Sequence, residues 1–230
     1  MTKNTLTNYI GNANLPDLTD EEMAGAIAEA TNDATDGSAG GGQYLTFSGK
    51  TGIYALGRNK SPIDPEDLYI VEPQSVIEGW TCWKGSKPVD RVEWSIYRRQ
   101  TAAVAEHDLP DHAPYKPDEG WNRMLGFGVL DTSPEHTSVK FSTTSISGRN
   151  AISDLLEEIR KRASAGEPTM PIISFDSEEF TAQDKTNHKP RFDVDRWCTR
   201  EAVGAYLSGD MSFGDLQSGK KPKKKPRKRK

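Results

Sequence analysis

A single amphipathic helix set inside a run of β-like segments constrains this chain most. From Ser147 to Ile159, the residues Ile152, Leu155, Leu156 and Ile159 fall on one helical face. That is the i, i+3, i+4, i+7 spacing of a helix packing one stripe against a core. Ser147 is the expected N-cap, and Arg160, Lys161 and Arg162 suit the negative end of the helix dipole. Gly166 and Pro168 then stop the helix.

Around that helix the pattern is β-like. Tyr44–Phe47, a Ser-Gly-Lys-Thr-Gly turn and Ile53–Leu56 read as a hairpin. Leu68–Val71 and Gly79–Gly85 read as two further short strands. Val89–Arg99 alternates, with Val92, Trp94 and Ile96 on one face and Arg91, Glu93, Ser95, Tyr97 and Arg99 on the other. Trp121–Leu130 and Ser138–Ser142 lead into the helix. Met170–Phe175 and Arg191–Trp197 follow it, joined by the polar stretch 181–190. Residues 100–120, with Pro110, Pro114 and Pro117, read as a long loop, which in a compact domain tends to be functional or disordered.

The expected fold is therefore mainly β with one central helix. The order β-β-β-α-β-β is that of an OB-like β-barrel, here with extra strands, a fold much used for single-stranded nucleic acid. Flexible tails are expected to flank it. Residues 1–42 form an arm with one short helix signal near Thr19–Glu22, 43–207 the core, and 208–230 a disordered basic tail. Only 34% of the chain is hydrophobic and no apolar run approaches the ~20 residues that span a bilayer. The start lacks the apolar stretch of a secretion signal, and Cys82 and Cys198 have no metal-ligand spacing. A soluble, cytoplasmic protein with free thiols is the expectation.

Charge is strongly asymmetric. The segment Lys220–Lys230 holds nine of the 30 basic side chains and no acid; without it, 21 basic groups face 34 acidic ones, a net charge of −13. A run of like charges does not fold and favours a polyanion. The same tail also reads as a nuclear-import-like signal, or as a strand lying on the acidic body.

Chemistry beyond binding finds little support. Ser48-Gly49-Lys50-Thr51 suggests a phosphate loop, but Tyr44 stands where the motif needs glycine, and a strand follows where it needs a helix. A hairpin turn is the better reading. His107, Asp108, Asp111 and His112 fit no common zinc spacing, so a solvated loop is favoured over a metal site. No catalytic residues and no cofactor are expected. The aromatic and basic residues are more suggestive, because bases stack on rings while cations track phosphates. Trp83 and Tyr97 are the stacking candidates; Lys84, Arg99, Lys140, Lys189 and Arg191 are the phosphate candidates. Lys220, Lys221, Lys223, Lys224, Lys225, Arg227, Lys228, Arg229 and Lys230 add non-specific affinity.

The segment Phe141–Arg149 leading into the helix, with Gly79–Trp83 and Pro110–Tyr115, resembles a family of poorly characterised tailed-phage proteins. The strand-helix-strand order is similar to the phage single-stranded DNA-binding proteins of the T7 type. That resemblance implies a DNA-binding helper in replication or recombination, acting in the host cytoplasm with replication or recombination proteins as partners. Such proteins usually end in an acidic tail that competes with DNA, whereas this chain ends in a basic one. The other reading is a protein-interaction module, such as a phage inhibitor of a host protein, since a body at −13 repels DNA and can mimic it.

Overall fold

The computed structural model describes residues 43–57, 59–85, 87–97, 103–133, 136–182 and 184–222. The expected N-terminal arm, Arg99 and the tail residues Lys223–Lys230 lie outside them. The fold is mainly β: among the described residues nine strands join in one sheet that curls into a half-barrel, with few helices.

The hairpin of β1 (Gln43–Phe47) and β2 (Tyr54–Leu56) forms as its pattern predicts, with Leu45 opposite Leu56 and Phe47 opposite Tyr54. Its turn is closed by Gly52 N–H donating to Ser48 O at 2.8 Å, with Gly52 at φ +69°, so Ser48–Thr51 is a hairpin turn. A two-residue strand, β3 (Ser61–Pro62), extends this edge.

The two short strands expected next are one strand, β4 (Tyr69–Lys84). Its middle carries Pro73, which has no N–H for the ladder, and the register against β6 shifts between Glu72 and Ile77. Ser75 repairs the gap: its hydroxyl accepts Gly128 N–H at 2.7 Å. β5 (Lys87–Ser95) folds back on the upper half of β4. β6 (Gly120–Asp131) and β7 (Ser138–Thr143) continue the sheet on the other side. β1 then adds to β7 in parallel, with Leu45 opposite Phe141.

The central helix, α1, spans Ile146–Ala165, starting two residues earlier than a cap at Ser147 would give. Its N-cap is Ser145, not Ser147: the Ser145 hydroxyl accepts Gly148 N–H at 3.1 Å. Gly148 lies so close to Thr143 that a Cβ would meet its hydroxyl at 2.6 Å, which fixes where the helix can start. Gly166 ends it in the left-handed conformation, as expected. Ile152, Leu155 and Ile159 are buried, and Leu156 packs at the margin.

They cover a core of Leu45, Val71, Val129, Ile173 and a ring cluster of Tyr54, Phe127, Phe141, Phe175 and Phe192. Ring centroids there lie 5.1–5.9 Å apart in tilted or edge-on geometry, the arrangement favoured by the aromatic quadrupole.

β8 (Met170–Ala182) and β9 (Lys185–Cys198) pair along their whole length, so the polar stretch expected as a connector is the outer half of a long hairpin. The expected core boundary at residue 207 also moves. Two short helices, α2 (Arg200–Leu207) and α3 (Phe213–Gln217), are capped by Thr199 and Ser212. They pack Val203, Tyr206, Met211 and Leu216 onto Ile70, Met170 and Ile172 as a second core. Ordered structure therefore continues through Leu216, which is 1% exposed. Cys82 and Cys198 are buried free thiols.

Candidate nucleic-acid interface

Alternation along β4 sends Glu78, Trp80 and Cys82 to one face. Register places Leu125, Arg123 and Trp121 of β6, and Trp94, Val92 and Asp90 of β5, beside them. The lower part of this face joins the core, and the upper part is crossed by residues 103–119. This loop is not a loose lid. The Trp80 indole N–H donates to Val104 O and the Trp121 indole N–H to Pro110 O, both at 2.9 Å.

His112 Nε2 lies 2.7 Å from the Asp90 carboxylate, while the Tyr115 hydroxyl accepts His112 N–H at 3.0 Å. Glu119 closes the loop by accepting Lys116 N–H and Gly85 N–H, both at 2.9 Å. These two bonds hold the Glu119 carboxyl below its ordinary pKa, the Lys116 bond being the larger cause.

Rings and cations interleave along this end of the molecule. The Arg123 guanidinium sits 5.7 Å from the Trp80 ring centre, and Lys84 Nζ sits 5.8 Å from that of Tyr115. The His112 ring lies 5.7 Å from that of Trp121. Tyr115 and Tyr97 are exposed, at 38% and 53%, and so is the Arg123 side chain. Trp80 itself is buried and Arg123 is ion-paired with Glu78 at 3.1 Å, so the open parts of this ledge are the Tyr115 ring and the Lys84 ammonium beside it.

The structure brings only part of the expected set to this ledge. Lys84 belongs to it; Tyr97, its ring in solvent, lies beyond the other end of β5, where Ile96 N–H donates to Val76 O. Trp83 points to the opposite face, half-buried, with its indole N–H enclosed and unpartnered. Lys140 is largely buried, ion-paired with Glu93 and 5.8 Å from the Tyr44 ring centre. Burial pushes its pKa down, and Glu93 opposes that shift. Arg91 completes the cluster, bonding Ser142 at 2.8 Å and lying 2.9 Å from Glu93.

Lys189 is held by Glu178 at 2.9 Å, and Arg191 by Asp176 and Asp193 on the β8–β9 hairpin. Lys220 is paired with Asp215, and Lys221 is exposed. Lys140, Lys189, Arg191 and Lys220 thus each already meet a carboxylate, as Arg123 of the ledge meets Glu78.

Sequence reasoning missed Arg123, Tyr115 and His112 as parts of the ledge. Only the β4–β6 register puts Arg123 over Trp80. His107 is solvent-exposed beside Asp108 while His112 bonds Asp90, and among the described residues no group of three or more His, Cys, Asp or Glu side chains is placed to hold a metal.

At the far side, Leu56, Ile63, Leu68, Tyr69, Asp64, Asp67, Asp131 and Ser133 line a cleft of about 300 Å³. Burial, then Asp67 and Asp131, push the Tyr69 phenol up to about 12. Its charge has the wrong sign for a polyanion. No described helix is long and apolar enough to cross a membrane. No family model matches the chain, and the comparisons with curated proteins and with solved structures likewise give no match.

Proposed function

We propose that this is a non-enzymatic single-stranded DNA-binding protein whose OB-like barrel is built from β4, β6, β7, α1, β8 and β9. The observation that carries the reading is the ledge, where the exposed Tyr115 ring lies beside Lys84, Trp121 is half-buried beside His112, and Arg123 covers the buried Trp80. Stacking rings with adjacent cations are what a single strand needs.

The strand pairing supports the fold half of the proposal. β4 pairs with both β6 and β8, β6 with β7, β8 with β9, and the helix falls between β7 and β8. In a five-stranded OB barrel the third and fifth strands would close the ring. In this chain the β1–β2 hairpin stands in that place: β1 pairs with β7, and its turn accepts His188 N–H of β9 at Gly49 O, 2.8 Å. DNA would cross the ledge past Tyr115, and the basic tail would add non-specific affinity. The role implied is support of phage replication or recombination in the bacterial cytoplasm.

A second reading, a protein-interaction module, draws on the −13 body and on the carboxylates already paired with Lys140, Lys189 and Arg191. Fluorescence anisotropy of labelled oligo-dT against the full chain and a 1–219 truncation, over a salt series, separates the two. The proposal expects both to bind, with a shallower slope for the truncation; each phosphate contact contributes about 0.7 to the slope. Loss of all binding with the tail sinks the barrel reading and leaves the partner-protein reading.

A further inference from the structure

We infer that the outer half of the β8–β9 hairpin is a second contact for single-stranded DNA, in which Phe180 stacks on a base. This rests on the DNA-binding reading above. β4 supports β8 only at Tyr69 and Ile70, opposite Ile173 and Ile172, and the β1–β2 turn reaches β9 only near His188. Beyond that point the hairpin is a two-stranded ribbon with both faces in water. From Glu178 to Ala182 every residue is exposed. A bare ribbon of this kind has no core in which a phenyl ring can be buried, yet Phe180 stands on it, 39% exposed.

The register decides its company. Phe180 lies opposite Asn187, with Lys185 opposite Ala182 and Lys189 opposite Glu178, all on one face. Glu178 neutralises Lys189, but Lys185 has no carboxylate partner among the described residues. Lys50 is exposed on the β1–β2 turn, next to the carbonyl that accepts His188 N–H. Of the other acids, Glu179 faces the opposite side with His188, Asp184 sits in the turn, and Asp176 and Asp193, further down the same face, share Arg191.

A face that offers one open ring beside a lysine with no carboxylate partner among the described residues suits a nucleobase and its phosphate. It suits an acidic protein surface poorly, because the ring would find no apolar partner.

The test uses the full-length protein with oligo-dT carrying 5-iodouracil, irradiated and mapped by mass spectrometry, beside anisotropy titrations of Phe180→Ala and Phe180→Tyr. The expected result is an adduct at Phe180, a loss of at least about fivefold in affinity for the alanine variant, and recovery with tyrosine. Because Phe180 lies outside both cores, neither variant should unfold the protein. Wild-type affinity in Phe180→Ala, with adducts confined to Tyr97, Tyr115 or Trp121, overturns this inference and leaves the ledge intact. Absence of oligonucleotide binding by the full chain overturns both.

Discussion

The core beneath α1 and the loop strapped over the upper sheet are held by different physics. Under the helix, Phe127, Phe141, Phe175 and Phe192 are joined by buried area and edge-on ring contacts, many at once and none of them sensitive to pH. Over the sheet, residues 103–119 are held by single directed bonds: two indole N–H groups, one imidazole–carboxylate pair and one carboxylate accepting two amides. Each of those contributes little by itself. The comparison teaches that the loop can be loosened one bond at a time while the half-barrel keeps its core, which suits the binding surface proposed above.

The sharpest break of this contrast is Phe141→Ala. Phe141 is fully buried and meets Tyr54, Phe127, Phe175 and Phe192. Its truncation should cost about 3–5 kcal/mol in global stability, read from the midpoint of urea unfolding.

A smaller effect is expected from Trp121→Phe, which keeps the ring and removes the donor to Pro110 O. The cost should be about 0.5–1.5 kcal/mol, confined to the loop. Hydrogen exchange should quicken across residues 103–119 with no change in the β6–β7 ladder. Quickening throughout the sheet would mean that strap and barrel are one cooperative unit.

The smallest is an acid effect. The folded Glu119 carboxyl is depressed, so its contribution is present above the ordinary carboxylate pKa and is lost as pH falls through the depressed value. The amides of Gly85 and Lys116 should lose protection over that window in the native protein and show no such step in Glu119→Gln.

How much of this was legible depended on whether a pattern had a core beneath it. The helix and the first hairpin were readable because one face of each is buried, so periodicity survives in sequence. β4 was split in two because Pro73, Gln74 and Ser75 interrupt the alternation at the bulge. The outer β8–β9 ribbon was taken for a connector because with both faces wet nothing selects alternation. α2 and α3 hid in a segment rich in Gly, Ser and Asp; their caps, Thr199 and Ser212, were the available signal. The ledge was the least legible part. Lys84 and Tyr115 meet only after the loop returns, and Arg123 meets Trp80 only through strand register.

The parallel pairing of β1 with β7 has a consequence for how the protein comes into being. Gln43 lies opposite Val139, so during synthesis the first strand leaves the ribosome long before its neighbour exists. Until β7 arrives, the β1–β2 hairpin has one open edge and no helix to cover Leu45 or Tyr54. Completing the sheet must wait for a closure across nearly half the chain, the kind of non-local step that slows folding. Vectorial synthesis therefore delivers β7 late to the first described strand, α1 follows it directly, and Ile173, Phe175 and Phe192 of β8 and β9 complete the core last.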